Sequence, residues 1–336
     1  MKLTHKNYIL QLGEPFISNK GIISMVEQLI IQVHWETYSG IGTAIYANEY
    51  GFTKENTSEF MDFARDILLE YSPYEFEKVT KKLWGIFPNC ASAISAVDMA
   101  IHDLIGKVTG LPLYKLWGLE NLPLPMSSIS LGSLPRTDLV EKAKGLLDWP
   151  ILKIKLKKDS DLKCIEDLRS IYNGRIWVDG NCSWSPDETL RVCDYMSKYS
   201  IELLEQPIAN GNVHSLHYIH KRSPIPIIAD EDCVNPSDVL KLQESVSGVN
   251  IKLCKCGGLS RAVEMIRLAR SLNLKVMLGC KTESIVGISA MGQLAGLADY
   301  LDLDGHLDLV NDPFQGIELH EGLVTLPSYP GIGITV

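Results

Sequence analysis

The second half of the chain alternates between short hydrophobic runs and longer amphipathic stretches. The short runs are rich in Val, Ile and Leu and predict buried strands, whereas the stretches between them have apolar residues at helical spacing. The predicted strands are 126–131, 151–156, 175–179, 201–205, 226–230, 249–254, 275–279 and 300–304. The predicted helices are 137–147, 159–172, 186–198, 213–221, 236–244, 259–271 and 284–298. This alternation predicts an α/β fold in which parallel strands form a (β/α)7β TIM-like barrel.

The first 120 residues follow a different pattern. Extended segments are predicted at 3–12, at 22–35 and in a third strand ending near residue 46. Helices are predicted at about 56–71, 73–83 and 91–107. Strands followed by helices predict a separate α+β domain over residues 1–120, with a polar, glycine-containing loop at 17–22 as a candidate lid. The barrel then takes 121–310, and the turn-rich segment 311–336 is expected to return to the first domain.

Charged residues stand at or just after the ends of successive predicted strands. Asp179, Glu205 and Asp230 close three of them, and Lys255 follows the next. These four positions are about 25 residues apart, which fits one strand and one helix joined by short loops. Because the carboxyl ends of parallel barrel strands meet at one mouth, the four side chains are expected to share a site. Taken singly, each could instead cap a turn, pair at the surface or lie solvated in a loop.

Lys153 and Lys155 interrupt the apolar run 151–156. On a strand, residues two apart point to the same face, so the two ammonium groups would enter one space. Two neighbouring cations lower each other's pKa, and a lysine perturbed in this way can act as a base near neutral pH. An edge strand with solvated lysines is the alternative interpretation of this stretch alone.

Composition narrows the class of protein. The chain has 336 residues, 46% of them hydrophobic, and a formal net charge of −9, which disfavours nucleic acid and anionic membranes as partners. We find no signal-peptide pattern and no membrane-length apolar stretch. The eight cysteines show no paired CxxC spacing, which favours reduced thiols and a cytoplasmic location.

Five short motifs, together with one helix, resemble those of the muconate-lactonizing subgroup of the enolase superfamily. The motifs are Lys153-Ile154-Lys155, Asp179-Gly180-Asn181, Glu205-Gln206-Pro207, Ala229-Asp230-Glu231 and Lys255-Cys256-Gly257-Gly258, and the helix is 96–107 in what would be a capping domain. Within the subgroup, Asp302-Leu303-Asp304 is similar to the aspartate pair of dipeptide epimerases. The resemblance covers most of the chain.

The resemblance implies a specific chemistry. Asp179, Glu205 and Asp230 would bind Mg²⁺, which stabilises the enediolate formed when an α-proton is removed next to a carboxylate. Lys155 and Lys255 would exchange that proton from opposite faces, and Lys153 would lower the pKa of Lys155. Asp302 and Asp304 would hold the α-ammonium group of a dipeptide.

The chain also departs from the family pattern in two places. Ala-Glu epimerases have a capping-domain arginine that pairs with the substrate glutamate, and the matching position here is Gly21, next to Lys20. Lys281 and Thr282 stand where relatives generally have apolar residues. We therefore expect Lys281, Thr282 and Lys20 to be candidate substrate contacts, with Lys281 able to bind an acidic side chain.

Three functions follow for this chain. The leading hypothesis is a dipeptide epimerase with Ala-Glu-like substrates. A lyase or cycloisomerase of the same subgroup, such as an o-succinylbenzoate synthase or a muconate cycloisomerase, would use the same lysines and metal, but the Asp302 and Asp304 carboxylates would repel an all-anionic substrate. A barrel that binds a ligand without turnover is the third, and paired bases argue against it. A homo-oligomer is possible, and the sequence does not determine the oligomeric state.

Overall fold

The computed structural model describes residues 1–18 and 21–335. An antiparallel sheet in the order β1-β2-β3 forms the first layer, with strands Lys2–Ser18, Gly21–Trp35 and Tyr38–Ile45. Four helices follow, α1 Lys54–Leu69, α2 Phe76–Ile86, α3 Ala91–Thr109 and α4 Leu113–Leu116, with 3₁₀ turns at Asn48–Tyr50 and Pro73–Glu75. The predicted loop 17–22 is shorter than expected, because Ile17 pairs with Ile22 and Ser18 pairs with Gly21. Its role as a lid stays a prediction.

Strand β3 packs directly on helix α3. A Cβ atom on Gly40 would lie 2.0 Å from the Ala100 carbonyl oxygen, and one on Gly42 would lie 2.0 Å from that of Ala96. Only glycine permits this approach, since any side chain would overlap the helix backbone. Helix α3 is therefore buried along nearly its whole length between the sheet and the rest of the molecule.

Eight parallel strands form the barrel in the order β4 to β11. The strands are β4 Ile129–Ser130, β5 Ile151–Lys155, β6 Arg175–Asp179, β7 Ile201–Glu205, β8 Ile227–Ala229, β9 Gly248–Ile251, β10 Lys275–Gly279 and β11 Tyr300–Asp302. A parallel bridge between Ser127 and Leu301 joins the first strand to the last. The predicted TIM-like barrel is confirmed.

Helices alternate with these strands along the chain. They are α5 Arg136–Lys144, α6 Lys163–Ile171, α7 Pro186–Met196, α8 Val213–His220, α9 Pro236–Leu242, α10 Leu253–Cys256, α11 Leu259–Ser271 and α12 Ile285–Gly292, with 3₁₀ turns at Ser197–Tyr199 and Ala295–Leu297. Helix α7 begins with a capping box in which Ser185 and Glu188 satisfy each other's backbone N–H groups, and with Pro186 in its first turn.

Side chains inside the barrel form layers, because alternate residues of each strand point inward. The lowest layer is apolar and contains Ile151, Trp177, Leu203, Ile228 and Met277, all fully buried. Two residues further along three of these strands stand Lys153, Asp179 and Glu205. Because inward-facing residues recur at every second position, the apolar layer at the bottom of the barrel is followed by a charged layer at the carboxyl ends of the strands.

After the barrel, the chain forms a small hairpin of β12 Glu318–His320 and β13 Leu323–Thr325 and reaches the first sheet and α3. The backbone N–H of Gln11 donates to Asn311 Oδ1 over 2.7 Å, and that of Ile332 donates to Asp103 Oδ1 over 2.8 Å. These contacts agree with the predicted return of segment 311–336, while the exact domain bounds stay a prediction. Among the described residues, no helix is long and apolar enough to cross a bilayer.

Candidate active site

A cavity of 420 Å³ opens at the carboxyl ends of the barrel strands. Its floor is charged and its roof, from the first sheet, is largely apolar. The floor includes Lys153, Lys155, Asp230, Lys252, Asp302 and Asp304, and the roof includes Leu12, Phe16, Ile22, Ile23, Val26 and Ile45. The predicted strand-end residues thus meet, and a ligand bound there would be enclosed by both parts of the chain.

Lys153 lies at the centre of a buried ion cluster. It is 2% exposed, and its Nζ lies 2.6 Å from Glu205 Oε2 and 2.7 Å from Asp302 Oδ2. Burial alone would lower the pKa of Lys153, but the carboxylates of Asp302, Glu205 and Asp179 raise it well above its usual value. Lys153 is therefore a fixed cation. It contacts carboxylates that lie near the predicted base, Lys155, and it is not a solvated surface lysine.

Lys155, the next inward residue of β5, reaches higher into the cavity. Its Nζ donates to Asp179 Oδ2 over 2.5 Å and to Asn181 Oδ1 over 3.3 Å. Its side chain is 17% exposed, compared with 3% for Lys153. Burial would raise the pKa of Asp179, but Lys155 and Lys153 overcome this effect and hold it below its usual value.

Asp179, Glu205 and Asp230 lie close enough to influence one another. Burial, together with the carboxylates of Asp179 and Asp230 and partly offset by Lys153, raises the pKa of Glu205 to about 7. The Asn250 Nδ2 group donates to Glu205 Oε1 over 2.8 Å, which orients that carboxylate. Three buried carboxylates that disfavour each other's charge are a donor set suited to a hard divalent cation.

In this structure each of the three carboxylates contacts a lysine. Among the described residues, no three Asp, Glu, His or Cys side chains are already grouped so that they could hold a metal ion. Two further oxygens nearby, Asn250 Oδ1 and Glu231 Oε2, are buried without a hydrogen-bond partner. The residues therefore fit a cation in donor type, burial and mutual repulsion, and small rotations of the carboxylates would be needed to enclose it.

The position of Lys255 differs from the prediction. Lys255 is 3% exposed and lies on the helical turn α10, where its Nζ donates to the carboxylate of Asp230, to the Asp230 backbone oxygen and, over 3.0 Å, to the Asn250 backbone oxygen. It supports Asp230 from behind and does not line the cavity. The prediction assumed a constant spacing of about 25 residues between strand ends. From Asp230 this spacing passes the end of β9 and reaches the following turn, which explains the difference.

Lys252 occupies the place that was predicted for Lys255. It follows β9, four strands from Lys155 in an eight-stranded barrel, and lines the cavity. Its Nζ donates to Asp230 Oδ2 over 2.5 Å. Strand alternation could have identified it, since Gly248, Asn250 and Lys252 share the inward face and Lys255 lies beyond the strand.

Asp302 and Asp304 line the same side of the cavity but have different partners. Asp302 accepts hydrogen bonds from Lys153 Nζ and Ser128 Oγ, each over 2.7 Å. Asp304 Oδ2 accepts one from the backbone N–H of Ser130 over 2.6 Å. Burial and the neighbouring Asp302 raise the pKa of Asp304 to about 7. Asp302 therefore belongs to the internal cluster, whereas Asp304 is the member with the capacity to meet a ligand cation.

The predicted specificity residues follow β10, the strand that neighbours β11 and its aspartate pair. Lys281 and Thr282 both line it, and the Nζ of Lys281 lies 5.5 Å from the centre of the Tyr50 ring. Tyr50, from the 3₁₀ turn after the first sheet, was not predicted, because nothing in its sequence context indicates docking on the barrel. Gly21 also lines the cavity, and Lys20 lies outside the described residues.

Comparisons with known proteins agree with this geometry. Residues 14–118 match the model of the mandelate racemase/muconate lactonizing enzyme N-terminal domain, and residues 138–336 match the enolase C-terminal domain-like model. The chain is 34% identical to an L-Ala-D/L-Glu epimerase of Bacteroides thetaiotaomicron over 99% of this chain and 88% of that protein. It is also 34% identical to an L-Ala-D/L-amino acid epimerase of Flavobacterium johnsoniae over the full length of both. A dipeptide epimerase of Enterococcus faecalis, solved with Mg and L-Leu-L-Tyr, superposes with a TM-score of 0.94 at 27% identity over 100% of this chain and 99% of that one.

Proposed function

The chain belongs to the mandelate racemase/muconate lactonizing enzyme family of the enolase superfamily, and from this membership we propose that it is a Mg²⁺-dependent dipeptide epimerase. The observation that carries the proposal is the pair Lys155 and Lys252 on opposite sides of one cavity that also contains Asp304. Inversion at an α-carbon needs a proton acceptor on one face and a donor on the other, and two lysines across a barrel supply both.

In the proposed mechanism, one lysine removes the α-proton of the C-terminal residue and the other returns a proton to the opposite face. Lys155 and Lys252 exchange these roles when the reaction runs in reverse. Lys153 contributes a permanent positive charge beside Glu205 and Asp302, which favours the ionised form of both carboxylates and holds them in place. Lys255 has the same role beneath Asp230.

Asp179, Glu205 and Asp230 would hold Mg²⁺. When bound, the ion supplies the positive charge that stabilises the second negative charge developing on the substrate carboxylate as the α-proton leaves. Burial would lower the pKa of Lys252, but the carboxylates of Asp230 and Glu205 raise it well above its usual value. The residues assigned to the cation are thus the same ones that control the basicity of Lys252.

Asp304 is proposed to bind the α-ammonium group of the N-terminal residue, with Asp302 stabilising the strand end behind it. An all-anionic substrate, as required by a lyase or cycloisomerase of the family, would meet the Asp304 carboxylate and be repelled. The apolar roof from Phe16, Ile22 and Val26 would cover the C-terminal side chain, and Lys281 would attract that side chain when it is acidic. We propose Ala-Glu-like dipeptides as substrates on this ground.

We also propose that the protein acts in the cytoplasm. The eight cysteines are all unpaired, which suits a reducing cytoplasm. The net charge of −9 gives no reason to expect a nucleic-acid partner.

A deuterium-exchange screen tests the proposed function. Mixtures of L,L-dipeptides are incubated with the protein and Mg²⁺ in D₂O, and mass spectrometry detects a gain of one mass unit at the C-terminal residue of each substrate. We expect incorporation into L-Ala-L-Glu together with formation of its C-terminal epimer, which chiral chromatography resolves. Absence of exchange into every dipeptide, with elimination from an all-anionic succinate-bearing acid, would show a lyase instead.

A further inference from the structure

A second cavity, of 740 Å³, lies between helices α2 and α3 on one side and helix α11 of the barrel on the other. It shares no lining residue with the active-site cavity. Three cations line it, Lys81 from α2 and Arg261 and Arg267 from α11, together with the aromatic rings of Phe76, Trp84 and Trp117. We call this space the interdomain cleft.

Arg261 is held in the cleft with its hydrogen-bonding capacity unused. Its guanidinium carbon lies 3.8 Å from the centre of the Trp84 ring, so that the ring supports one face of the group. Within the described part of the chain, the guanidinium makes no hydrogen bond or ion pair; burial lowers its pKa, and Cys256 and Glu264 offset part of this effect. A partly desolvated guanidinium with free N–H groups is suited to donate hydrogen bonds to an oxyanion.

His102 supplies a second unused group. It is 6% exposed and is packed between Phe76 and Trp117, with ring centres 4.7 Å and 5.8 Å away. Its Nδ1 lies 2.9 Å from the Asp98 backbone oxygen, and because a carbonyl can only accept, Nδ1 must carry the hydrogen. In the neutral ring Nε2 is then an acceptor, and it has no partner among residues 1–18 and 21–335. The cleft therefore offers an acceptor to a ligand O–H.

None of the acidic residues that line the cleft forms an ion pair with Arg261 in the part of the chain that the structure describes. Asp98 is fully buried, and its carboxylate already accepts hydrogen bonds from the Ser260 hydroxyl and backbone N–H, over 2.5 Å and 3.0 Å. Glu77 and Glu264 lie at the solvent-exposed rim and make no ion pair within the ranges that the structure describes. The lining therefore has three cations and three carboxylates, and of the cations only Arg261 is partly buried.

We propose that the interdomain cleft is a second ligand site that binds a small oxyanion retaining an O–H group, for which hydrogen phosphate is the representative. The oxyanion accepts hydrogen bonds from Arg261, and its O–H donates to His102 Nε2. Because the cleft is lined from both α2–α3 and α11, a bound anion would link the first domain to the barrel and stabilise their contact.

The test uses isothermal titration calorimetry on the full-length, metal-depleted protein, with inorganic phosphate and sulfate as probes at about pH 8, where phosphate retains one O–H and sulfate has none. The variants are Arg261→Gln and, as a matched control, Arg222→Gln. Arg222 also stacks on an aromatic ring, that of Tyr218 at 4.1 Å, but lies just after the end of a different helix, α8. A third variant, His102→Asn, removes the ring nitrogen, and thermal unfolding verifies that every variant is folded.

We expect one phosphate per chain, bound more tightly than sulfate, with affinity reduced about tenfold or more by Arg261→Gln and changed less than about twofold by Arg222→Gln. His102→Asn should abolish the preference for phosphate over sulfate. Equal phosphate affinity in Arg261→Gln and the wild type would overturn the site, as would the absence of any binding. Should Arg261→Gln fail to fold, Arg267→Gln serves in its place and must weaken binding at least about threefold. None of these measurements depends on epimerase activity.

Discussion

The ammonium group of Lys252 lies 2.5 Å from Oδ2 of Asp230, while Lys255 contacts Oδ1 of the same carboxylate. Two lysines three residues apart therefore share one aspartate, but only Lys252 faces the cavity. The proposed mechanism therefore uses Lys252 for proton transfer and Lys255 for the support of Asp230.

Lys155→Ala and Lys252→Ala should each reduce net epimerisation by at least about a thousandfold, because each removes the proton relay on one face. Each variant should retain exchange of the α-proton for only one of the two epimers. Proton NMR in D₂O with separate L,L and L,D substrates measures this. If both variants exchange both epimers at the wild-type rate, the two-base assignment is wrong.

Lys255→Met should behave differently. It removes one of the two lysine donors to the buried Asp230 carboxylate and the lysine donor to the Asn250 carbonyl, so we expect a loss of about 2–4 kcal/mol in the free energy of unfolding. The folded fraction should still exchange the α-protons of both epimers. Loss of exchange for one epimer only, as in Lys252→Ala, would return the second base to Lys255.

Chelation should abolish activity, and added Mg²⁺ should restore it. Glu205→Gln should weaken Mg²⁺ binding at least about tenfold, measured by calorimetry, because a neutral amide replaces one of three anionic ligands. Glu202→Gln makes the same chemical change on the same strand, where the side chain pairs with Arg175 at the other end, and should leave Mg²⁺ affinity unchanged. Full activity after exhaustive chelation would reject the metal site.

Lys281→Met should raise KM for L-Ala-L-Glu by about tenfold, and change it little for a dipeptide with an apolar C-terminal residue. Lys142 also lines the cavity and provides the matched control, Lys142→Met. Steady-state kinetics on both dipeptides gives the comparison. The same effect on both substrates would mean that Lys281 does not bind the side chain.

The affinity for the dipeptide should depend on the protonation of Asp304. Burial and Asp302 raise the pKa of Asp304 to about 7, so the carboxylate is increasingly neutralised as the pH falls through that value. A neutral carboxyl attracts an α-ammonium group less, and KM should rise about fivefold between about pH 8 and pH 6. Asp304→Asn should have a high KM without this pH dependence. A pH-independent KM in the wild type would contradict the role of Asp304.

Gly42→Ala should destabilise the protein by about 2 kcal/mol or more, because the new methyl group would overlap the carbonyl oxygen of Ala96 in helix α3. Gly85→Ala, on helix α2, meets no atom within 4 Å and should stabilise by about 0.5–1 kcal/mol. Chemical denaturation of the two variants gives both values. Similar stabilities would show that β3 and α3 can separate at low cost.

The barrel could be predicted from the sequence because its signals are local. Each strand is a short apolar run, and Asp179 and Glu205 end their strands at the predicted positions. Lys252 was missed because counting a constant spacing ignored the change from strand to helical turn after Ile251.

Other features depend on contacts between distant parts of the chain. Lys153 binds Asp302 across 149 residues, and Tyr50 meets Lys281 through docking of the first domain on the barrel. The interdomain cleft arises from the same docking, which no local pattern indicates. The sequence therefore predicts which residues reach the barrel mouth better than it predicts which partners they find there.

The unequal partners of Asp302 and Asp304 bear on how substrate preference can diverge by evolution. Replacing Asp302 would remove one of the two carboxylates within 2.7 Å of the buried Lys153 ammonium group, so that position is constrained by folding as well as by function. Asp304 is held mainly by one backbone N–H, and its substitution would leave the Lys153–Glu205 pair intact. A lineage could therefore abandon substrates with a free ammonium group through one mutation at position 304, without first acquiring compensating changes in the interior.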